Sequence, residues 1–239
     1  MFVKKIMMVV FMFCVAVLSG CMYPQERLQQ NQIPYPDQLQ IVQGAVNQYK
    51  EANGGLLPIK TREMDTPLYQ KYPIEFTKLS PRFMPEPPSN AFENGGIYQY
   101  VLIDAETNPT VKLIDLRIAE EIRDLKLKIK MYRDEHKYPP FKKVIADGVY
   151  TLDYQKLKYK EEPFVESPYS GKNLPFVIDA QGEVYVDYRI DLYEILRKNV
   201  VTMQEGQDIR FLLTEKSPFV PAYSLPYTIK DNEPIFFVQ

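Results

Sequence analysis

Three stretches of this chain recur in the same order, and that recurrence constrains the fold more than any other feature. Ile74-Glu75-Phe76-Thr77-Lys78-Leu79 is echoed by Leu152-Asp153-Tyr154-Gln155-Lys156-Leu157: aliphatic, acidic, aromatic, polar, lysine, leucine in each. Val101-Leu102-Ile103-Asp104-Ala105 returns as Phe176-Val177-Ile178-Asp179-Ala180, and Asp115-Leu116-Arg117-Ile118 as Asp187-Tyr188-Arg189-Ile190. The offset shrinks from 78 to 75 to 72 residues, so loops shortened while the order held. A chain with such a period is a set of supersecondary units that bury their apolar faces against one another.

The first unit opens with a helix. Asp37, directly after Pro36, is a candidate N-cap, and Leu39, Val42, Val46 and Tyr49 form one stripe at 3, 4, 3 spacing. Gly54 and Gly55 end it and Pro58 forbids resumption. Ile74 and Phe76 alternate as a short strand closing at Leu79, and residues 80–89, with Pro81, Pro85, Pro87 and Pro88, predict a crossing loop. Residues 97–104 and 110–114 predict a hairpin. The pattern then restarts: Asp115 caps a second helix whose Ile118, Ile122, Leu125, Ile129 and Tyr132 run 4, 3, 4, 3, with Asp124 and Lys128 paired on the wet side, stopping before Pro139 and Pro140. A third helix is expected over residues 191–203, with Leu192, Leu196, Val200 and Met203 on one face and Gly206 near its end. Leu225-Pro226-Tyr227-Thr228-Ile229 mirrors Leu174-Pro175-Phe176-Val177-Ile178, and Pro218-Phe219-Val220 mirrors Pro163-Phe164-Val165. Residues 208–213 predict an extra strand, and 235–238 the last one. The expected fold is α+β, a tandem repeat of helix plus small antiparallel sheet: module one at 37–114, module two at 115–186 and a truncated third at 187–239.

Ahead of the repeats, Lys4 and Lys5 precede an apolar run from residue 6 to 18, the n-region and h-region of a secretory signal. It ends in Leu18-Ser19-Gly20-Cys21, which resembles a bacterial lipoprotein lipobox. The resemblance implies that residues 1–20 are a signal peptide cut between Gly20 and Cys21, and that Cys21 carries diacylglycerol and so binds membrane lipid. The run is shorter than the roughly 20 apolar residues that span a bilayer. Residues 21–36, rich in glutamine with Pro34 and Pro36, then read as a polar tether reaching ~45 Å at ~3 Å per residue. The expected address is the outer face of the cytoplasmic membrane, lipid-anchored.

Composition narrows the chemistry. The 29 basic residues, two of them in the signal, face 31 acidic ones, so the mature chain is mildly acidic and has no electrostatic reason to bind nucleic acid. Cys14 lies in the signal and Cys21 carries lipid, leaving no thiol for a disulfide, a zinc cluster or a nucleophile. His136, the one histidine, ends the second helix beside Asp134, Glu135 and Lys137, where a solvated cationic ring is the expected role. Asp104 and Asp179 occupy equivalent places, but each sits where a strand turns, so structural roles are expected. Asn94-Gly95-Gly96 lacks the lysine and hydroxyl residue of a phosphate loop. Lys126, Lys128, Lys130 and Arg133 share their helix with five acids and read as a solvated face. Tyr150, Tyr154, Tyr159, Phe164 and Tyr169 offer glycan stacking or core, and core is expected. No catalytic, cofactor or metal residues are assigned, and the protein is expected not to be an enzyme.

A helix with a Tyr138-Pro139 exit on a small antiparallel sheet is similar to the globular part of pilins and pseudopilins. No pilin-type N-terminal helix precedes either copy, so the likeness is one of architecture. As a whole the sequence resembles an uncharacterised group of lipoproteins from Gram-positive, bacillus-type bacteria, some labelled ABC-transporter binding proteins. The expected role is a non-enzymatic binding or assembly scaffold whose partner is another envelope protein. The alternative is the ligand-binding lipoprotein of an ABC importer, which requires a cleft between two lobes lined by convergent polar groups.

Overall fold

The computed structural model describes residues 35–198 and 203–237. The expected signal and lipobox, the tether as far as residue 34, and the expected end of the third helix at 199–202 lie outside the described residues. Helix α1 (Tyr35–Ala52) begins two residues before Asp37. Proline loses nothing in a first turn, where its missing N–H has no intrahelical partner, so Pro36 is inside the helix and Asp37 follows it there rather than capping it. Val42 and Val46 are fully buried while Leu39 and Tyr49 pack at the edge of the same core. Beyond the end, Gly55 takes a φ of 92° and its N–H donates to the Lys50 carbonyl at 2.8 Å.

Residues 74–79 are not a strand. Ile74 makes one isolated bridge with Ile59, and the chain then winds into α2 (Phe76–Leu79). Strands β1 (Tyr98–Ile103) and β2 (Thr110–Asp115) form the expected antiparallel hairpin, and α3 (Leu116–His136) buries all five residues of its stripe. After it come β3 (Phe141–Ala146), β4 (Val149–Leu152), β5 (Phe164–Glu166), β6 (Asn173–Asp179) and β7 (Val184–Val186), one antiparallel sheet in which β6 pairs with β4, β5 and β7. Helices α4 (Arg189–Lys198) and α5 (Phe211–Glu215) and the hairpin β8 (Tyr227–Lys230) to β9 (Glu233–Phe236) follow. The architecture is α+β, with helix and small antiparallel sheet repeating in order. Among the described residues no helix is long and apolar enough to cross a membrane.

The second copy of the six-residue pattern also turns: past β4, the Lys158 N–H donates to the Gln155 carbonyl at 2.9 Å and that of Tyr159 to Tyr154 at 3.0 Å. In both copies the acid pairs with the lysine three residues on, Glu75 with Lys78 at 2.8 Å and Asp153 with Lys156 at 3.6 Å. In both, the aromatic and the leucine are buried. Apolar residues three apart describe a helical face, and so short a run also satisfies alternation. The Asp124–Lys128 pair does not form either. Asp124 lies 3.4 Å from Arg123, and the Lys128 amine sits 3.5 Å from the centre of the Tyr159 ring, a partly desolvated site that wins over a solvent-screened ion pair.

The third module is not an appendix. Its Tyr227, Ile229 and Phe236 share one core with α3, β4, β6 and β7, while Phe219 enters the core of α1, α2, β1 and β2. Residues 218–220 run parallel to β2, with the Leu113 N–H donating to the Pro218 carbonyl at 2.9 Å and the Val220 N–H to Leu113 at 3.0 Å. The Lys112 amine donates to the Thr214 and Ser217 carbonyls at 2.7 and 2.6 Å. The counterpart of this stretch, β5, pairs instead within its own module, so the mirrored sequences serve different sheets. A smaller cluster, Tyr69, Val101, Ile114, Val220 and Ala222, fills the seam.

Candidate functional site

The acids at the module junctions have a structural task. The Asp115 carboxylate accepts from the Arg117 N–H at 3.0 Å and from the Arg117 guanidinium at 2.6 Å. Asp187 does the same with Arg189, also at 3.0 and 2.6 Å. A third fork was not expected: residues 208–213 are not a strand, and Asp208 accepts from the Arg210 N–H at 3.0 Å and its guanidinium at 2.7 Å as the chain enters α5. The signal was present, since Asp-x-Arg occurs at all three places. One carboxylate thereby satisfies an orphan N–H at a helix start and fixes the arginine in a planar, charge-assisted pair. Arg210 reaches further, donating to the Ser224 carbonyl at 3.1 Å and lying 5.3 Å from the centre of the Tyr69 ring of module one.

Asp104 and Asp179 hold turns. Asp104 takes a φ of 51° and its carbonyl accepts from Thr107 and Asn108, while the Asp179 carboxylate accepts from the N–H groups of Gln181 and Glu183 and the Tyr185 hydroxyl. Burial, reinforced by Asp179, pushes the Tyr185 phenol up. Asp191, almost wholly buried, accepts from Ser167 at 2.9 Å and Ser170 at 2.5 Å and so pins the β5–β6 loop to α4. Burial raises its carboxyl above the ordinary value, against the pull of both serine hydroxyls. Nearby, Pro168, Tyr169, Leu212 and Pro218 line a pocket of about 320 Å³ between modules two and three. Among the described residues no group of three or more histidines, cysteines or acids could hold a metal ion.

The basic residues of α3 do not form one patch. Lys126 pairs with Glu183 and Arg133 donates to the Gln181 carbonyl at 3.1 Å, so both tie the helix to the β6–β7 turn. Tyr154 is buried as expected, whereas Phe164 is exposed.

A wider groove, about 790 Å³, lies at the C-terminal end of α3 between Lys128, Met131, Tyr132, Glu135, His136 and the turn at 156–158. His136 is not simply solvated. Its Nδ1 lies 3.0 Å from the Tyr132 carbonyl oxygen, and its ring stacks on Tyr132 at 4.0 Å and 6°. Tyr138 stands edge-on to both rings, and its hydroxyl, with burial, pushes the Tyr132 phenol up to about 12.

Residues 35–115, from the first residue of α1 to the last of β2, match the family model described as the YphF family N-terminal domain. A YphF family domain is therefore present in the chain. No curated protein and no solved structure matches.

Proposed function

We propose that the protein is a lipoprotein of the cell envelope, held by Cys21 to the outer face of the cytoplasmic membrane, whose modules serve as a non-enzymatic binding or assembly scaffold. The observation that carries this reading is the interlock. Residues 218–220 extend the β2 sheet of module one while Tyr227 and Phe236 pack under module two. A chain that returns to clasp both earlier modules fixes their relative orientation, which an extended docking face needs and a hinged, closing receptor would lose. The lipobox supplies the anchor and the tether the clearance.

The test has two arms. Metabolic labelling with radioactive fatty acid should mark the wild-type chain and not Cys21→Ala, which should also leave the membrane fraction. Proximity crosslinking of the anchored protein should recover a wall-synthesis, secretion or assembly component. Recovery of a transporter permease instead would replace the scaffold reading with that of an importer's ligand-binding lipoprotein.

A further inference from the structure

The groove at the end of α3 is built unlike the rest of the surface. Its inner face is aromatic: His136 lies on Tyr132, and Tyr138, 52% exposed, stands across both at ring distances of 5.9 and 6.3 Å. The bond between His136 Nδ1 and the Tyr132 carbonyl holds the imidazole in place, so the rings are fixed before any ligand arrives. Met131, 65% exposed, extends the apolar surface along the helix.

Three lysines, Lys128, Lys156 and Lys158, and one acid, Glu135, line that surface, with the Asp153 carboxylate beside Lys156. The aromatic contact of Lys128 with Tyr159 and the ion pair of Lys156 with Asp153 set where two of these amines stand. Lys158 has no acidic partner among the described residues and takes a φ of 60°, a left-handed backbone that glycine adopts more easily. This concentration of positive charge sits on a chain whose net charge is −2.

Fixed rings favour a flat face with polarised C–H groups, the lysines favour a carboxylate or phosphate, and Glu135 can accept from hydroxyls. A sugar bearing an anionic substituent satisfies all three. The volume, about 790 Å³, lies in the range of pockets that bury a small ligand.

We propose that this groove binds an anionic saccharide, its ring seated against Tyr138 and His136 and its carboxylate or phosphate met by Lys128, Lys156 and Lys158. The site lies within module two, so it goes beyond the scaffold reading and stands or falls apart from membrane anchoring.

The test is calorimetric titration of the full chain in detergent micelles with tetragalacturonate. Saturable binding is expected, weakened about tenfold by Tyr138→Ala and at least as much by the Lys156→Gln/Lys158→Gln double variant, as loss of charged contacts implies. These are half-exposed or exposed positions, and unchanged far-UV circular dichroism will show that both variants fold. Neutral maltotetraose should bind at least about tenfold more weakly. The proposal is overturned if no saturation occurs up to ~10 mM, or if the variants bind as wild type does. It is likewise overturned if tricarballylate, an anion without a sugar ring, competes at equal concentration, or if a thymidine tetranucleotide binds as tightly as the saccharide.

Discussion

Removing Arg189 should destabilise the protein more than removing Arg189 and the charge of Asp187 together. The Asp187 side chain is 7% exposed and that of Arg189 36%, so the acid is the buried member of the fork. Arg189→Ala strands that carboxylate with one N–H donor on its side chain, a penalty of about 2 kcal/mol once partial solvent access is allowed for. It also loses the stacking of the guanidinium 4.5 Å from the centre of the Phe236 ring, worth about 0.5–1 kcal/mol. The expected total is about 3 kcal/mol. Asp187→Asn keeps an oxygen to accept from the Arg189 N–H, so in the double variant the stranding penalty disappears and the lost stacking remains. The double variant should therefore be about 2 kcal/mol more stable than Arg189→Ala alone. Equilibrium urea unfolding followed by tyrosine fluorescence measures this directly, because the chain contains no tryptophan. If the two substitutions add, leaving the double variant less stable than Arg189→Ala, the fork is a surface pair and the reasoning fails.

Gly96→Ala should cost about 3 kcal/mol in the same assay, because the new Cβ would lie 2.0 Å from the Asn90 carbonyl oxygen, a backbone atom that cannot step aside; a loss under ~1 kcal/mol would show that the turn yields. Lys112→Ala should cost about 2 kcal/mol and speed hydrogen exchange at the Leu113 and Val220 amides, since two carbonyls lose a charged donor at the interlock. Unchanged exchange there would mean that the strand contact alone holds the modules. Asp191 contributes a pH dependence whose sign follows from its raised carboxyl. The folded state holds the proton more tightly than the unfolded one, so stability from this group falls as pH rises from the ordinary carboxylate value through the raised one. Asp191→Asn should thus gain on wild type as pH rises from the ordinary carboxylate range through the raised value, and parallel pH profiles would contradict it.

The repeats were legible because they are local. The 4, 3, 4, 3 stripe of α3, the Asp115 cap and the β1–β2 hairpin each depend on residues a few positions apart, where periodicity and capping chemistry act without help from the rest of the chain. The Asp-x-Arg forks are equally local, and the third, at Asp208, carried the same signature as the other two. Misreadings fell where a run was too short to separate two periods, at residues 74–79, and where an apolar contact competed with a charge pair, at Lys128.

The sequence by itself determined the order of helix and hairpin, the Asp115 cap and the buried face of α3, since these follow from spacing along one segment. Only the tertiary structure decided that residues 218–220 join β2 rather than their own module, that Tyr227 lies beneath module two, and that Tyr132, His136, Tyr138 and Lys158 border one groove. The physical reason is that such pairings are chosen by which apolar surface remains uncovered once the local units have formed. That remainder belongs to the packed whole and to no stretch of chain alone.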